Sequence, residues 1–381
     1  MKKIKVMAVF GTRPEAIKMA PLVLELKKRP EIETTVCVTA QHRQMLDQVL
    51  DLFGIVPDYD LDIMKERQTL VGITTRALEG LDRVMAEAKP DIVLVHGDTT
   101  TSFVGSLAAF YNHAEIGHVE AGLRTYDKWS PFPEEMNRRL TGVMADMHFS
   151  PTRKNRENLL REGVKSEDIF ITGNTVIDAL KTTVSDDYKF HSQELADILK
   201  TDRRIVLMTA HRRENLGEPL YNITRAVRRL ADKFEDIEVI YPVHLNPAVR
   251  DVAREVLGGH DRIHLIEPLE AGDMHNAMAR SEIVMTDSGG LQEEAPSLGK
   301  PVLVLRHETE RPEAVEAGTV KLAGVDEDTI FEMASQLLSD KAAYDKKAKA
   351  VNPYGDGRAS ERIADALIYH FLGGKRPQDL V

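Results

Sequence analysis

Short, unbroken apolar runs alternate along the chain with longer stretches whose apolar residues recur every three or four positions. In the first half the runs at 5–10, 34–39, 92–96, 116–119 and 147–149 show no period-two alternation. They predict strands buried on both faces of a parallel sheet. The patterns at 16–28, 70–88 and 101–111 predict helices between them, and together these elements describe a doubly wound α/β domain. The pattern thins at 181–202, where T-T-V-S-D-D-Y-K-F-H-S-Q predicts an interdomain region. A second series follows, with strands expected at 204–208, 238–241, 263–266, 283–285 and 302–305. The expected fold is α/β, two Rossmann-like domains in tandem, with ligands in the cleft facing the carboxyl ends of their strands. A last helix, about 358–372, follows the turn-rich N-P-Y-G-D-G and can pack on either domain.

Composition narrows the partners. A chain of 381 residues is long for one hydrophobic core, in keeping with two domains. Its 42% apolar and 29% charged content is that of a soluble globular protein. A net charge of -11 argues against nucleic acid or an anionic membrane as partner, so local basic clusters need a local reason. The single cysteine, Cys37, cannot form an internal disulfide and is expected to be a buried structural thiol, which suits a cytoplasmic location. The opening M-K-K-I-K-V-M-A-V-F is too short, and too poor in small residues, for a cleaved signal peptide and reads as a first strand. No run approaches a membrane span.

Polar residues gather where the apolar runs end. After the first strand come Gly11-Thr12-Arg13-Pro14-Glu15 and then Lys18. Without a GxGxxG fingerprint a dinucleotide has no support, whereas Arg13 and Lys18 near a helix start suit a phosphate. Asp98 follows the third strand and Glu120 the fourth. Glu134 lies in S-P-F-P-E-E, with Arg138 one helical turn later. Helix capping would explain any one of these acids. Three on one sheet edge suggest proton transfer, because a base and an acid on opposite faces of a carbon need separate carboxylates. In the second series, Asp287-Ser288-Gly289-Gly290 joins a strand to a helix start, a turn suited to a phosphate or diphosphate. Glu293 and Glu294 lie one turn further on, placed for sugar hydroxyls. His211 and His244 end the neighbouring strands. Their spacing and basic neighbours favour an anion over a metal ion, and no metal site is assigned.

The segments F-G-T-R-P-E-A-I-K-M-A-P, H-G-D-T-T-T, H-V-E-A-G-L-R-T, P-F-P-E-E-M-N-R, H-R-R-E-N and T-D-S-G-G-L-Q-E-E-A-P-S-L-G-K-P-V-L closely resemble the non-hydrolysing UDP-N-acetylglucosamine 2-epimerases of bacteria. The likeness spans essentially the whole chain, in the correct order. It implies a glycosyltransferase-B-like fold, with residues 1–172 plus a returning helix at about 358–381 as one domain and 173–357 as the other. It further implies a cytoplasmic homodimer that interconverts UDP-GlcNAc and UDP-ManNAc without a cofactor, with ManNAc serving a cell-surface polymer. By the same resemblance Asp98, Glu120 and Glu134 match the catalytic acids, and Arg13, His211, Ser288, Gly289 and Gly290 the diphosphate contacts, His211 also counting as catalytic. Glu294 matches the ribose contact, Met274 lies on the uracil side, and Lys18, Arg138 and His244 complete the substrate set. Gln41, His42, Gln44 and Arg67 resemble the segments that hold a second UDP-GlcNAc as allosteric activator. A glycosyltransferase, a hydrolysing epimerase and a non-catalytic sugar-nucleotide sensor are the competing readings.

Overall fold

The computed structural model describes residues 3–41, 43–65 and 68–380. The chain forms two compact units, Met1–Thr182 with Tyr354–Val381, and Thr183–Pro353. In order, the elements are β1 (Ile4–Phe10), α1 (Arg13–Lys27), β2 (Ile32–Val38), α2 (Arg43–Phe53), β3 (Tyr59–Asp60), α3 (Leu70–Ala88), β4 (Ile92–His96), α4 (Thr100–Tyr111), β5 (Glu115–Val119), α5 (Glu134–Met144), β6 (Met147–Ser150), α6 (Arg153–Arg161), β7 (Ile169–Ile171) and α7 (Thr175–Thr183). The second unit carries α8 (Gln193–Ile198), β8 (Arg204–Thr209), α9 (Glu218–Lys233), β9 (Ile237–Pro242), α10 (Pro247–Leu257), β10 (Ile263–Ile266), α11 (Ala271–Arg280), β11 (Ile283–Thr286), α12 (Leu291–Ser297), β12 (Val302–Val304), α13 (Pro312–Glu316), β13 (Val320–Leu322), α14 (Glu327–Ser339) and α15 (Lys341–Ala348). The chain then returns to the first unit for α16 (Ala359–Leu372), which packs on α1. Among the described residues no helix is long and apolar enough to cross a membrane.

Both sheets are parallel, in the orders β3-β2-β1-β4-β5-β6-β7 and β10-β9-β8-β11-β12-β13. The apolar runs lack alternation because each strand serves two layers. In β1, Ile4, Val6, Ala8 and Phe10 join the core built with α1, α2 and α16, while Met7 and Val9 join the one built with α3 and α4. Cys37 in β2 is fully buried, and burial, with Asp60 and Asp58 adding, pushes its thiol up to about 12, so it stays protonated. The strands not expected, β3, β7 and β13, are only two or three residues long, too short to leave a pattern.

One expectation about the division of the chain needs correction. The boundary falls after residue 182, beyond the expected 172, because α7 buries Ile177, Ala179 and Leu180 in the first unit. Asp178 there accepts from the Ala359 and Ser360 amides at 3.2 and 2.7 Å, which caps α16. The polar stretch at 181–202 contains the boundary between the units, as expected of an interdomain region. Its backbone is tied down by polar residues of α11: Asp273 accepts from His191 N and Ser192 N at 3.0 and 2.8 Å, and Asn276 donates to Thr183 O at 2.7 Å. These hydrogen bonds, with the buried Leu195 of α8, fix a segment whose composition is mostly polar.

Strand order reverses between β1 and β4 in the first sheet and between β8 and β11 in the second. Open parallel sheets bind ligands at such switch points, beyond the carboxyl ends of the strands.

Candidate active site

At the first switch point the turn after β1 must be glycine: a Cβ on Gly11 would lie 1.9 Å from Thr39 Oγ1 and 2.7 Å from Thr101 Oγ1. The turn is locked by Glu15, a residue not singled out from the sequence although Thr12 and Glu15 have capping-box spacing. Glu15 is 2% exposed. Its Oε2 accepts from Gly11 N (3.1 Å), Thr12 N (2.8 Å) and Thr12 Oγ1 (2.8 Å), and its Oε1 from Thr99 Oγ1 (2.6 Å) and Ser102 Oγ (3.0 Å). One carboxylate thereby joins the turn after β1 to the turn after β4. Arg13, half-buried, opens α1, and Lys18 further along that helix forms an ion pair with Glu120.

Glu120 leaves β5 with φ at 62°, in the left-handed region that costs a non-glycine residue free energy. Its Oε2 accepts from Lys18 Nζ and from Asn174 Nδ2, the latter at 2.8 Å. Buried His96 brings Nε2 to 3.6 Å from the same oxygen. Burial alone would raise this carboxyl, but Lys18 and His96 outweigh it and hold Glu120 well below the usual carboxylate range. At neutral pH it is anionic. Burial pushes the adjacent His118 down to about 3, so its ring is neutral, and its Nε2 donates to Gly97 O at 2.7 Å, bracing the β4 turn.

Capping does not account for Asp98. Thr99 caps α4, its Oγ1 accepting from Ser102 N at 3.1 Å, and the Asp98 carboxylate pairs with Arg138 of α5. Glu134 is the first residue of α5, half-buried, and carries no ion pair among the described residues. Its neighbour Glu135 is structural: fully buried, it accepts from Thr125 N and Tyr126 N at 3.0 and 3.1 Å. The first unit thus gathers Lys18, Asp98, Glu120 and Arg138 beside the β1/β4 switch point, with Glu134 one turn before Arg138.

In the second unit, Asp287 is fully buried and accepts on Oδ2 from His211 N, Arg212 N (both 2.8 Å) and Asn215 Nδ2 (3.0 Å), which ties the turns after β8 and β11 together. His211 turns its Nδ1 to 3.6 Å from Asp287 Oδ1 and stacks on His244, with ring centroids 5.3 Å apart. Burial lowers the His211 ring, Asp287 opposes this, and His244 and Arg212 add to the lowering. Ser288, Gly289 and Gly290 follow, and α12 is only seven residues long, with little dipole of its own. The positive charge at this turn comes mainly from side chains. A Cβ on Gly289 would lie 3.6 Å from Arg212 Nη2 and 3.9 Å from Arg311 Nη2. Arg311, in the loop before α13, was not foreseen, because nothing local in T-E-R-P marks it.

The two glutamates of α12 separate in role. Glu293 is 2% exposed and paired with Arg311, so it is not left for a sugar, contrary to expectation. Glu294 has the buried His275 Nε2 3.6 Å from its Oε2. Burial pushes His275 down to about 4, and its Nδ1 lies 2.7 Å from Thr183 Oγ1. Met274, half-buried, precedes it on α11. Of the residues expected to bind an effector, His42 and Arg67 lie outside the described residues. Gln41 accepts on Oε1 from Thr101 Oγ1 at 3.2 Å, and Gln44 is exposed on the first turn of α2.

Two parallel α/β sheets, acids at one switch point and cations with carboxylates at the other, define an enzyme of the glycosyltransferase-B-like, nucleotide-sugar class. The chain belongs to the UDP-N-acetylglucosamine 2-epimerase family, whose model matches residues 24–368. It is 64% identical over 379 residues to the UDP-N-acetylglucosamine 2-epimerase of Bacillus subtilis, covering 100% of this chain and 99% of that one. The S. aureus MnaA structure with UDP superposes with a TM-score of 0.87 at 54% identity over 100% of both chains. The Neisseria meningitidis UDP-GlcNAc 2-epimerase bound to UDP-GlcNAc gives 0.85 at 50% identity over 96% of this chain and 100% of that one.

Proposed function

We propose that this chain is a non-hydrolysing epimerase, converting UDP-GlcNAc reversibly to UDP-ManNAc through elimination and re-addition of UDP. The C2 hydrogen of the sugar is not acidic, since no carbonyl carbon adjoins it, so direct deprotonation is out of reach. Breaking the C1–O bond, with the electron pair leaving on UDP, builds positive charge next to C2. A carboxylate then takes the C2 proton, and the C–H electrons form the C1–C2 double bond of 2-acetamidoglucal. Re-addition of UDP, with a proton delivered to the other face of C2, gives the epimer and restores every atom. No redox cofactor is required.

Each group has a task in this path. Arg13, His211, Arg212, Arg311 and the Ser288–Gly290 turn take up the growing charge on the diphosphate, where fixed cations act most strongly. Glu294 takes the ribose. Asp98, Glu120 and Glu134 divide the proton work. The observation that carries this reading is the contrast among the three acids: Glu120 is buried and held anionic by Lys18, Asp98 is neutralised by Arg138, and Glu134 is unpaired among the described residues. Carboxyls in different environments are how one site supplies both a base and an acid. UDP-ManNAc so formed is an activated donor, suited to a transferase that builds a ManNAc-containing surface polymer.

Incubation with UDP-GlcNAc in deuterated water tests the proposal. The expected result is deuterium at C2 of both UDP-sugars. Release of free ManNAc would mean that water captures the intermediate, and unlabelled UDP-GlcNAc as the sole species would mean that the protein does no chemistry.

Gln41 and Gln44, with His42 and Arg67, belong to the same proposal as the pocket for an activating UDP-GlcNAc. The effector can favour an active state only by binding it more tightly. UDP-ManNAc alone should therefore react with a lag that a trace of UDP-GlcNAc removes, and Gln44→Ala should abolish the response. Full initial rate from UDP-ManNAc free of UDP-GlcNAc contradicts this role.

A further inference from the structure

The chain re-enters the first unit at Tyr354, where it meets residues 173 and 174 of the same unit, just before α7. Gly173 has φ at 86°, and a Cβ there would lie 3.2 Å from both Tyr354 O and Gly355 Cα, so the turn before α7 and the returning segment run in direct contact. Asn174, 2% exposed, donates its backbone N–H to Tyr354 O at 2.7 Å and accepts on Oδ1 from Val176 N at 3.1 Å. Its remaining polar group, Nδ2, donates to Glu120 Oε2 at 2.8 Å, across 54 positions of sequence.

We infer that Asn174 is a positioning residue for the epimerisation, tying the orientation of the Glu120 carboxylate to the returning segment at Tyr354 of the same unit. The assignment rests on the reading of Glu120 as a group that moves the C2 proton. Oε2 is saturated by Asn174 at the start of α7 and by Lys18 from α1, and His96 at the end of β4 faces it as well. Among the described residues, those are the charged and polar groups facing the carboxylate. Oε1 is left as the basic atom, pointing over Gly97, where even a Cβ would stand 3.6 Å away. Without the Asn174 donor the carboxylate is free to rotate, its two oxygens become interchangeable, and its anionic form loses a hydrogen bond. Because the same residue holds Tyr354 O through its backbone N–H, a shift of the returning segment reaches Glu120 through one residue.

Asn174→Asp separates this role from a structural one. An aspartate still accepts from Val176 N and still offers its backbone N–H to Tyr354, but it presents an acceptor, not a donor, to Glu120. The expected result is an unchanged melting transition, kcat lower by about tenfold or more with KM within about twofold, and the acid limb of the kcat/KM profile moved to higher pH. Asn174→Ala should move that limb the same way but less, since it removes the donor without adding a negative charge. An acid limb and kcat that coincide with those of the wild type in Asn174→Asp overturn the assignment. Wild-type protein that forms UDP-ManNAc without taking deuterium at C2 would instead overturn the elimination reading on which it rests. The two failures are distinct because that test uses no variant.

Discussion

Glu15 should separate a load carried by backbone amides from one carried by hydroxyls. Glu15→Ala strands the buried amides of Gly11 and Thr12, each of which loses its acceptor on Oε2. A buried unpaired amide costs roughly 1–3 kcal/mol, so the pair costs roughly 2–6 kcal/mol. The hydroxyls should add little. Thr99 Oγ1 and Ser102 Oγ lie 3.1 Å apart, and Ser102 also reaches His96 O, so they can re-pair. Glu15→Gln keeps a carbonyl oxygen for both amides and turns its NH2 toward those two hydroxyl oxygens. It should lose only the charge assistance, about 1–2 kcal/mol. Arg13, Asp98 and Lys18, which follow or flank the joined turns, should lose register in the same order, with kcat/KM falling further in Glu15→Ala than in Glu15→Gln. Urea unfolding, read at the first transition because two units need not unfold together, measures the stability term. Equal losses in the two variants, or a loss below about 1 kcal/mol in Glu15→Ala, would refute the claim that this carboxylate holds the two turns by their amides.

The amide variants Asp98→Asn, Glu120→Gln and Glu134→Gln should each lower kcat by roughly two to four orders of magnitude while calorimetric UDP affinity is nearly kept, and a matched loss of UDP binding in all three would make them structural. Arg13→Ala should slow turnover even at saturating UDP-GlcNAc, whereas a raised KM at unchanged kcat would reduce Arg13 to a ground-state contact. The acid side of stability should follow His118 and His148, whose rings burial pushes down to about 3 and about 4 from an ordinary 6.5. The unfolded chain takes up protons there that the fold refuses. The stabilisation is therefore complete above pH 6.5 and is lost as pH falls toward 4, at about 1.4 kcal/mol per pH unit for each ring. His148→Asn should flatten the slope between pH 6.5 and 5 by one ring's share, and an unchanged slope would contradict the burial argument.

Sequence pattern reached the two parallel sheets and the turns that carry Arg13, Asp98, Glu120 and Ser288, because strands buried on both faces leave long apolar runs that end abruptly in polar residues. It did not reach the residues that hold those turns. Asn174 meets Glu120 across 54 positions, Glu15 meets Ser102 across 87, and Arg311 meets Glu293 across 18. Such partners are set by strand order, which has no local signature. The sequence also could not show that Thr99 takes over the capping of α4 and releases Asp98, or that Glu293 is paired with Arg311. The polar segment at 181–202 did mark the boundary between the units, but its composition did not show that its backbone is held by Asp273 and Asn276.

The central claim is that the bond between C1 and the diphosphate oxygen breaks during every epimerisation. UDP-GlcNAc carrying heavy oxygen only at that bridging position tests it directly. If UDP departs and returns, the β-phosphate can rotate while bound, and the label should spread into its non-bridging positions in UDP-ManNAc and in recovered UDP-GlcNAc. UDP-ManNAc formed with all of the label still in the bridge would contradict the account.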